Sequence, residues 1–226
     1  MSEHELTEDR FLADVDQHQL TVLHDSGVYR HLRFARPGTM CMHFEIVTFP
    51  GYLCYTGDMG AFTFWRVHDM LTFFRGQRRD GHLNINPGYW AQKIEASDKG
   101  SGHSEFSPAR FREVINEYRV RWIREAARDG SLTKEERRDL WEEVGSEVLG
   151  KEDEGHVIAM SAAYDFTWST GVGHRYDFAD LWDNNFERWT VRFLWCCYAI
   201  ALGIEQYDAL TANKVVSPLK AEEPAP

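Results

Sequence analysis

The stretch from Met40 to Arg75, MCMHFEIVTFPGYLCYTGDMGAFTFWRVHDMLTFFR, constrains this chain more than any other. It sets strand-like runs, glycine-containing turns and a helix start end to end. Alternation puts Met40, Met42, Phe44 and Ile46 on one side and Cys41, His43, Glu45 and Val47 on the other, the period of two that a half-buried strand requires. Pro50-Gly51 breaks the run. Tyr52 to Thr56 resumes an aromatic and β-branched pattern, and Gly57-Asp58-Met59-Gly60 turns the chain into Phe62, Phe64 and Trp65. From Val67 the spacing changes, with Met70, Leu71 and Phe74 at helical intervals.

Upstream, Thr7 caps a short helix to about Gln17, with Phe11, Leu12 and Val15 inward. Leu20–His24 and Val28–Arg36 read as strands joined at Asp25-Ser26-Gly27, and Arg36-Pro37-Gly38-Thr39 leads into the central block. Residues 19–66 therefore predict a five-stranded antiparallel meander, since short turns favour antiparallel neighbours. Between Arg75 and Ser104 we expect an exposed connection with a short helix at Tyr89–Ala96.

Downstream the pattern is helical. Ser107-Pro108 is a cap followed by a first-turn proline, and Phe111, Ile115, Tyr118 and Trp122 form one stripe. Asp129-Gly130-Ser131 ends that helix. Thr133 caps the next, with Leu140, Val144 and Val148 inward. Gly150–Gly155 reads as a charged hinge, His156–Phe166 as another helix and Trp168–Gly173 as a turn. A last helix runs from about Asp183 to Gln206 on a face of Phe186, Trp189, Phe193, Cys197, Ile200 and Ile204. The fold class is α+β: an antiparallel sheet lobe with flanking helices over 1–105, a helical lobe over 106–211 and a flexible tail over 212–226.

Hydrophobic content of 43% supports a proper core, and 14% aromatic residues, including eight Trp, supply large buried areas or recognition surface. A net charge of −11 disfavours a simple nucleic-acid binder, which draws on surplus Lys and Arg. The charge is uneven. Phe106–Arg128 holds six Arg against three Glu, whereas Asp129–Glu154 holds ten acids against four bases. Cys41, Cys54, Cys196 and Cys197 lack CxxC spacing, which argues against a zinc knuckle or disulfide framework. The polar start MSEHELTEDR lacks a signal-peptide pattern, so we expect reduced thiols and a cytoplasmic protein. The longest apolar run, Phe193–Ile204, is too short to span a membrane, which takes about 20 residues.

The densest polar set near the meander is His43, Glu45, Asp58, Arg66, His68 and Asp69. A histidine with carboxylates can serve as acid and base or ligate a divalent ion. The spacing matches no HExxH or nucleophile-elbow pattern, so an exposed sheet face with structural hydrogen bonds is the competing reading, and we expect no metal and no cofactor. Asp58 reads most simply as a hairpin-turn residue. For partner binding the candidates are the acids Glu135, Glu136, Glu142 and Glu143, the loop aromatics Tyr89 and Trp90, and a basic helix flank with Arg110 and Arg121. On that flank Glu113 and Glu117 compete for the arginines.

The runs HLRFARPGT, FEIVTFPGYLCYTGDMGAFTFWR, DMLTFF and INPGYW resemble a family of uncharacterised proteins encoded by tailed phages and prophages, over about Phe11–Val120. The resemblance carries no catalytic residue with it. It implies an accessory protein acting in the bacterial cytoplasm during infection or lysogeny. In that setting we expect a binder that blocks a host nucleic-acid or defence machine, for instance a CRISPR effector, by presenting acidic, nucleic-acid-mimicking and aromatic surface to basic grooves. The alternatives are a nucleotide- or nucleic-acid-processing enzyme using the His43, Glu45, Asp58 and His68 region, and a single-strand binder using the sheet aromatics.

Overall fold

The computed structural model describes residues 6–100, 102–171 and 173–216, the side chains of 213–216 excepted. The chain divides into two compact units. Residues 1–104 and 189–226 form the first, and residues 105–188 form the second.

The first unit is an antiparallel sheet with helices on one face. Its order is α1 (Glu8–Asp14), β1 (Gln19–Ser26), β2 (Tyr29–Ala35), β3 (Phe44–Phe49), β4 (Tyr52–Gly57), β5 (Gly60–Trp65), α2 (Met70–Phe74), α3 (Pro87–Ala91) and β6 (Ile94–Ser97). The strands pair in chain order, so the meander carries six strands instead of five. The sixth comes from residues expected to be helical. Asn86 caps α3 and Pro87 occupies its first turn, but the helix ends at Ala91, and Ile94–Ser97 add to the β5 edge with Ile94 opposite Phe64. An unpaired edge row of N–H and C=O groups takes a nearby extended segment more readily than a second helical turn forms.

Register aligns the core face in cross-strand rows: Leu20, Phe34 and Phe44; Val22, Leu32, Ile46, Tyr55 and Phe62; then Leu53 and Phe64. A 26-residue helix, α7 (Val191–Val216), packs on this face and sends Trp195 between Phe11 and Phe44, with ring centroids 5.0 and 5.5 Å away. Each buried aromatic or aliphatic side chain in this layer contributes about 1.5–3 kcal/mol. Gly203 permits the approach, because a Cβ there would stand 2.7 Å from Ile46 Cδ1 and 3.1 Å from Phe34 Cζ.

Three sequence expectations shift here. The last helix starts at Val191, not near Asp183. Thr190 Oγ1 accepts from the Phe193 amide (3.2 Å) and donates to the Gly102 carbonyl, so Phe186 and Trp189 lie before the helix. Because α7 covers the sheet, it belongs with the first unit and not with a helical lobe over 106–211. Residues 212–216, read as the start of a loose tail, continue α7, while 217–226 lie outside the described residues.

The second unit contains α4 (Pro108–Asp129), α5 (Lys134–Glu143), a π-helical turn (Val144–Val148), a 3-10 turn (Leu149–Glu154) and α6 (His156–Asp165). Short strands β8 (Trp168–Ser169) and β9 (Arg175–Tyr176) form a hairpin. Its core is separate and includes Phe111, Ile115, Trp122, Leu140, Val144, Phe178 and Phe186. Strands β7 (Ser104–Phe106) and β10 (Glu187–Trp189) pair where the chain passes out of the first unit and back. Among the described residues no helix is long and apolar enough to cross a membrane.

Candidate functional site

The polar set singled out on the meander does not converge. His43 precedes β3, and its Nδ1 lies 2.8 Å from the Met40 carbonyl and 3.1 Å from Asp58 Oδ1. Asp58 Oδ2 accepts the Met42 amide at 2.6 Å, and the Asp58 amide donates to the His43 carbonyl. Asp58 is therefore more than a hairpin residue: it clasps the 40–43 turn, in which Met42 takes a φ of 56° and Met40 and Met42 leave the strand alternation. Gly57 is required beside it, since a Cβ there would lie 2.2 Å from the His43 carbonyl oxygen.

Glu45 points to the open face of the sheet and holds His31 and Arg33, the latter through Nε at 2.7 Å. Burial alone would raise its pKa, but the hydrogen bonds from His31 and Arg33 outweigh that and hold the carboxyl below the usual range. Asp69 caps α2 through the Leu71 amide and takes Arg30 bidentately, both contacts at 3.0 Å. Its pKa is likewise lowered, Arg30 and the Leu71 amide overcoming the effect of burial. His68 and Arg66 are exposed. His43 with Asp58, Glu45 with His31 and Arg33, and Asp69 with Arg30 form separate structural groups, and among the described residues no three His, Cys, Asp or Glu side chains come together as a metal-binding group.

The other candidates divide. Trp90 is 4% exposed and packs edge-on against Phe74 at 4.8 Å, so it belongs to the core. Tyr89 is exposed, with Lys93 Nζ 5.0 Å from its ring centre. On α4, Arg110 pairs with Glu113 and Arg121 lies over the Tyr118 ring at 4.3 Å, while Arg112 clamps Glu152. The basic run is thus largely engaged locally. Cys196 and Cys197 are fully buried, and burial pushes both thiols well up, which leaves them protonated and inert.

The acidic run stays outward-facing. Glu136 is an exception: it completes a capping box with Thr133 and is held below the usual carboxylate range by those hydrogen bonds. Glu135, Asp139, Glu142, Glu143 and Glu147 are exposed along α5 and the π-helical turn, where Arg138 approaches Glu142 at a long 3.7 Å and Lys151 lies within electrostatic reach of Glu147. The π turn follows directly on a side-chain insertion. Arg119, 7% exposed, stacks 3.7 Å from the Trp141 ring centre and donates to the Trp141 carbonyl. Side chains that enter the helix ladder are an established cause of such widened turns.

Between this acidic segment and α6 lies an open cleft of about 600 Å³, lined by Glu143, Glu147, Lys151, Val157, Ile158 and Asp165 among others. Sequence reasoning missed it, although a signal was present: HVIAMSAAYD is apolar on nearly every side, and a helix of that kind is ordinarily buried. The sheet aromatics weighed as a single-strand platform lie on the sheet's open face. Its aromatic row is Phe49, Tyr52 and Trp65 in register, with Phe49 stacked on Tyr52 at 5.0 Å. The chain matches no protein-family model, no curated protein and no solved structure.

Proposed function

We propose that this protein works by binding, as a phage-encoded accessory protein of the bacterial cytoplasm that occludes a basic, phosphate-binding surface of a host nucleic-acid or defence complex. The observation that carries the reading is the exposed carboxylate row Glu135, Asp139, Glu142, Glu143 and Glu147. Such a row concentrates negative charge on one surface and steers association with a cationic groove. The resemblance of the first half of the chain to phage and prophage proteins supplies the setting. Glu45 bonds to His31 and Arg33 and not to the His43–Asp58 pair, and His68 is exposed, which weighs against the enzymatic alternative.

The test is affinity capture from host cells. Reversal of Glu135, Glu142, Glu143 and Glu147 to Lys abolishes capture of a basic complex. Glu136 is left intact because its capping box supports α5. Retained capture by the reversed variant rules the reading out.

A second reading, single-strand binding, is favoured by the aromatic row on the open sheet face together with exposed Tyr29. Stacking on such rings contributes about 1–3 kcal/mol per base. It requires quenching of Trp65 fluorescence by single-stranded oligonucleotides, and loss of that binding in Trp65→Ala.

A further inference from the structure

We infer that the cleft between the π-helical turn and α6 is a docking groove for a basic amphipathic helix of a protein partner. This deepens the binding reading above and rests on it for the partner's basic character.

The apolar part of the argument is α6 itself. Val157 is 81% exposed and Ile158 45%, on a helix whose only fully covered positions are Ala159 and Ala163. Apolar side chains left in water at the mouth of a concavity mark an interaction surface more than a solvated one. The cleft is open and runs between two helical segments, so it admits ridges of side chains from a third helix, the geometry by which amphipathic helices lie in grooves. With ten residues, α6 presents about 15 Å of floor, or nearly three turns of a partner helix.

The charged part selects the occupant. Glu143, Glu147 and Asp165 flank the apolar floor, and the one cation of the lining, Lys151, is tied to Glu154 at 2.9 Å. The groove therefore favours Lys and Arg beside the apolar stripe of its ligand and repels an acidic helix of the same shape.

The probe is a fluorescein-labelled peptide of Leu and Lys at helical spacing, titrated with the full chain by fluorescence anisotropy. Its counterpart with Glu for Lys is the control. The Lys peptide binds saturably and the Glu peptide does not. The pair Val157→Asp and Ile158→Asp weakens binding at least about tenfold. Both sites lie in the first turn of α6, where an added carboxylate suits the helix dipole, so the fold is kept and an unchanged thermal melt verifies it. Glu143→Lys with Glu147→Lys weakens binding and reduces its salt dependence, whereas Glu117→Lys with Glu125→Lys, exposed on α4 and outside both the lining and the carboxylate row, leaves the Kd within about twofold. Failure of the Lys peptide to saturate, undiminished binding by the Val157/Ile158 variant, or equal losses from acids inside and outside the cleft would each overturn the groove. The two ideas fail separately. Capture of a basic host complex that survives Val157→Asp and Ile158→Asp removes the groove and leaves the binding reading standing, while peptide binding without any captured complex does the reverse.

Discussion

Asp69 serves two neighbours with one carboxylate. It closes the first turn of α2 and neutralises Arg30, whose side chain is 11% exposed. Asp69→Ala removes the cap and strands a nearly buried guanidinium, so urea unfolding is expected to show a loss of about 3–5 kcal/mol. Asp69→Asn keeps an oxygen for the Leu71 amide and loses less. Acid titration of stability reads the same chemistry. Asp69 and Glu45 are held below their ordinary carboxylate values in the folded chain, so the unfolded chain binds more protons in mildly acidic solution. Their stabilisation is whole above the ordinary carboxylate range and disappears as pH falls through the lowered folded values. Melting temperature followed from neutral pH downward should therefore drop below about pH 4.5, and the doubly amidated variant, Glu45→Gln with Asp69→Asn, should show a shallower drop.

At the scale of elements, close packing decides more than propensity. The α7 backbone approaches the sheet at Gly203, and Gly203→Val would push branched carbons onto Phe34 and Ile46. The expected cost is about 1–3 kcal/mol, read as a lower midpoint in urea. The same contrast between local and long-range control explains what the sequence made legible. Ser107-Pro108 and Thr133 announced α4 and α5 because caps act within one turn, and the alternation of Phe44 and Ile46 announced the core face of β3. Strand β6 was invisible because its pairing partner is thirty residues away in sequence. The helical spacing of Phe186, Trp189 and Phe193 misled for a related reason: Thr190 spends its hydroxyl on both the Phe193 amide and the Gly102 carbonyl, and the second contact has no local signature. The candidate polar site failed on similar grounds. His31, Arg33 and Arg30, which claim Glu45 and Asp69, come from a neighbouring strand whose register no short motif encodes.

For the whole molecule the consequential fact is that the second unit is inserted into the first. The Thr190 amide donates to the His103 carbonyl at 3.0 Å, so the first unit's two cut ends are adjacent. The Ser107 amide donates to the Phe186 carbonyl at 2.8 Å, so the second unit's ends are adjacent too. Each unit has its own apolar cluster, with Trp195 central to one and Phe111 and Trp122 in the other. Joining residue 104 to 189 through a short Gly-Ser linker replaces a long excursion by a small loop, which lowers the closure entropy and removes no side chain from the sheet core. The joined protein is expected to melt cooperatively with strand-type circular dichroism, and residues 105–188 expressed alone to give a helical spectrum with their own transition. Because the carboxylate row and the α6 cleft both lie within 105–188, that fragment should retain the capture of a basic partner, and the joined sheet unit should lose it. Capture that follows the sheet unit instead would move the working surface to the row of Phe49, Tyr52 and Trp65.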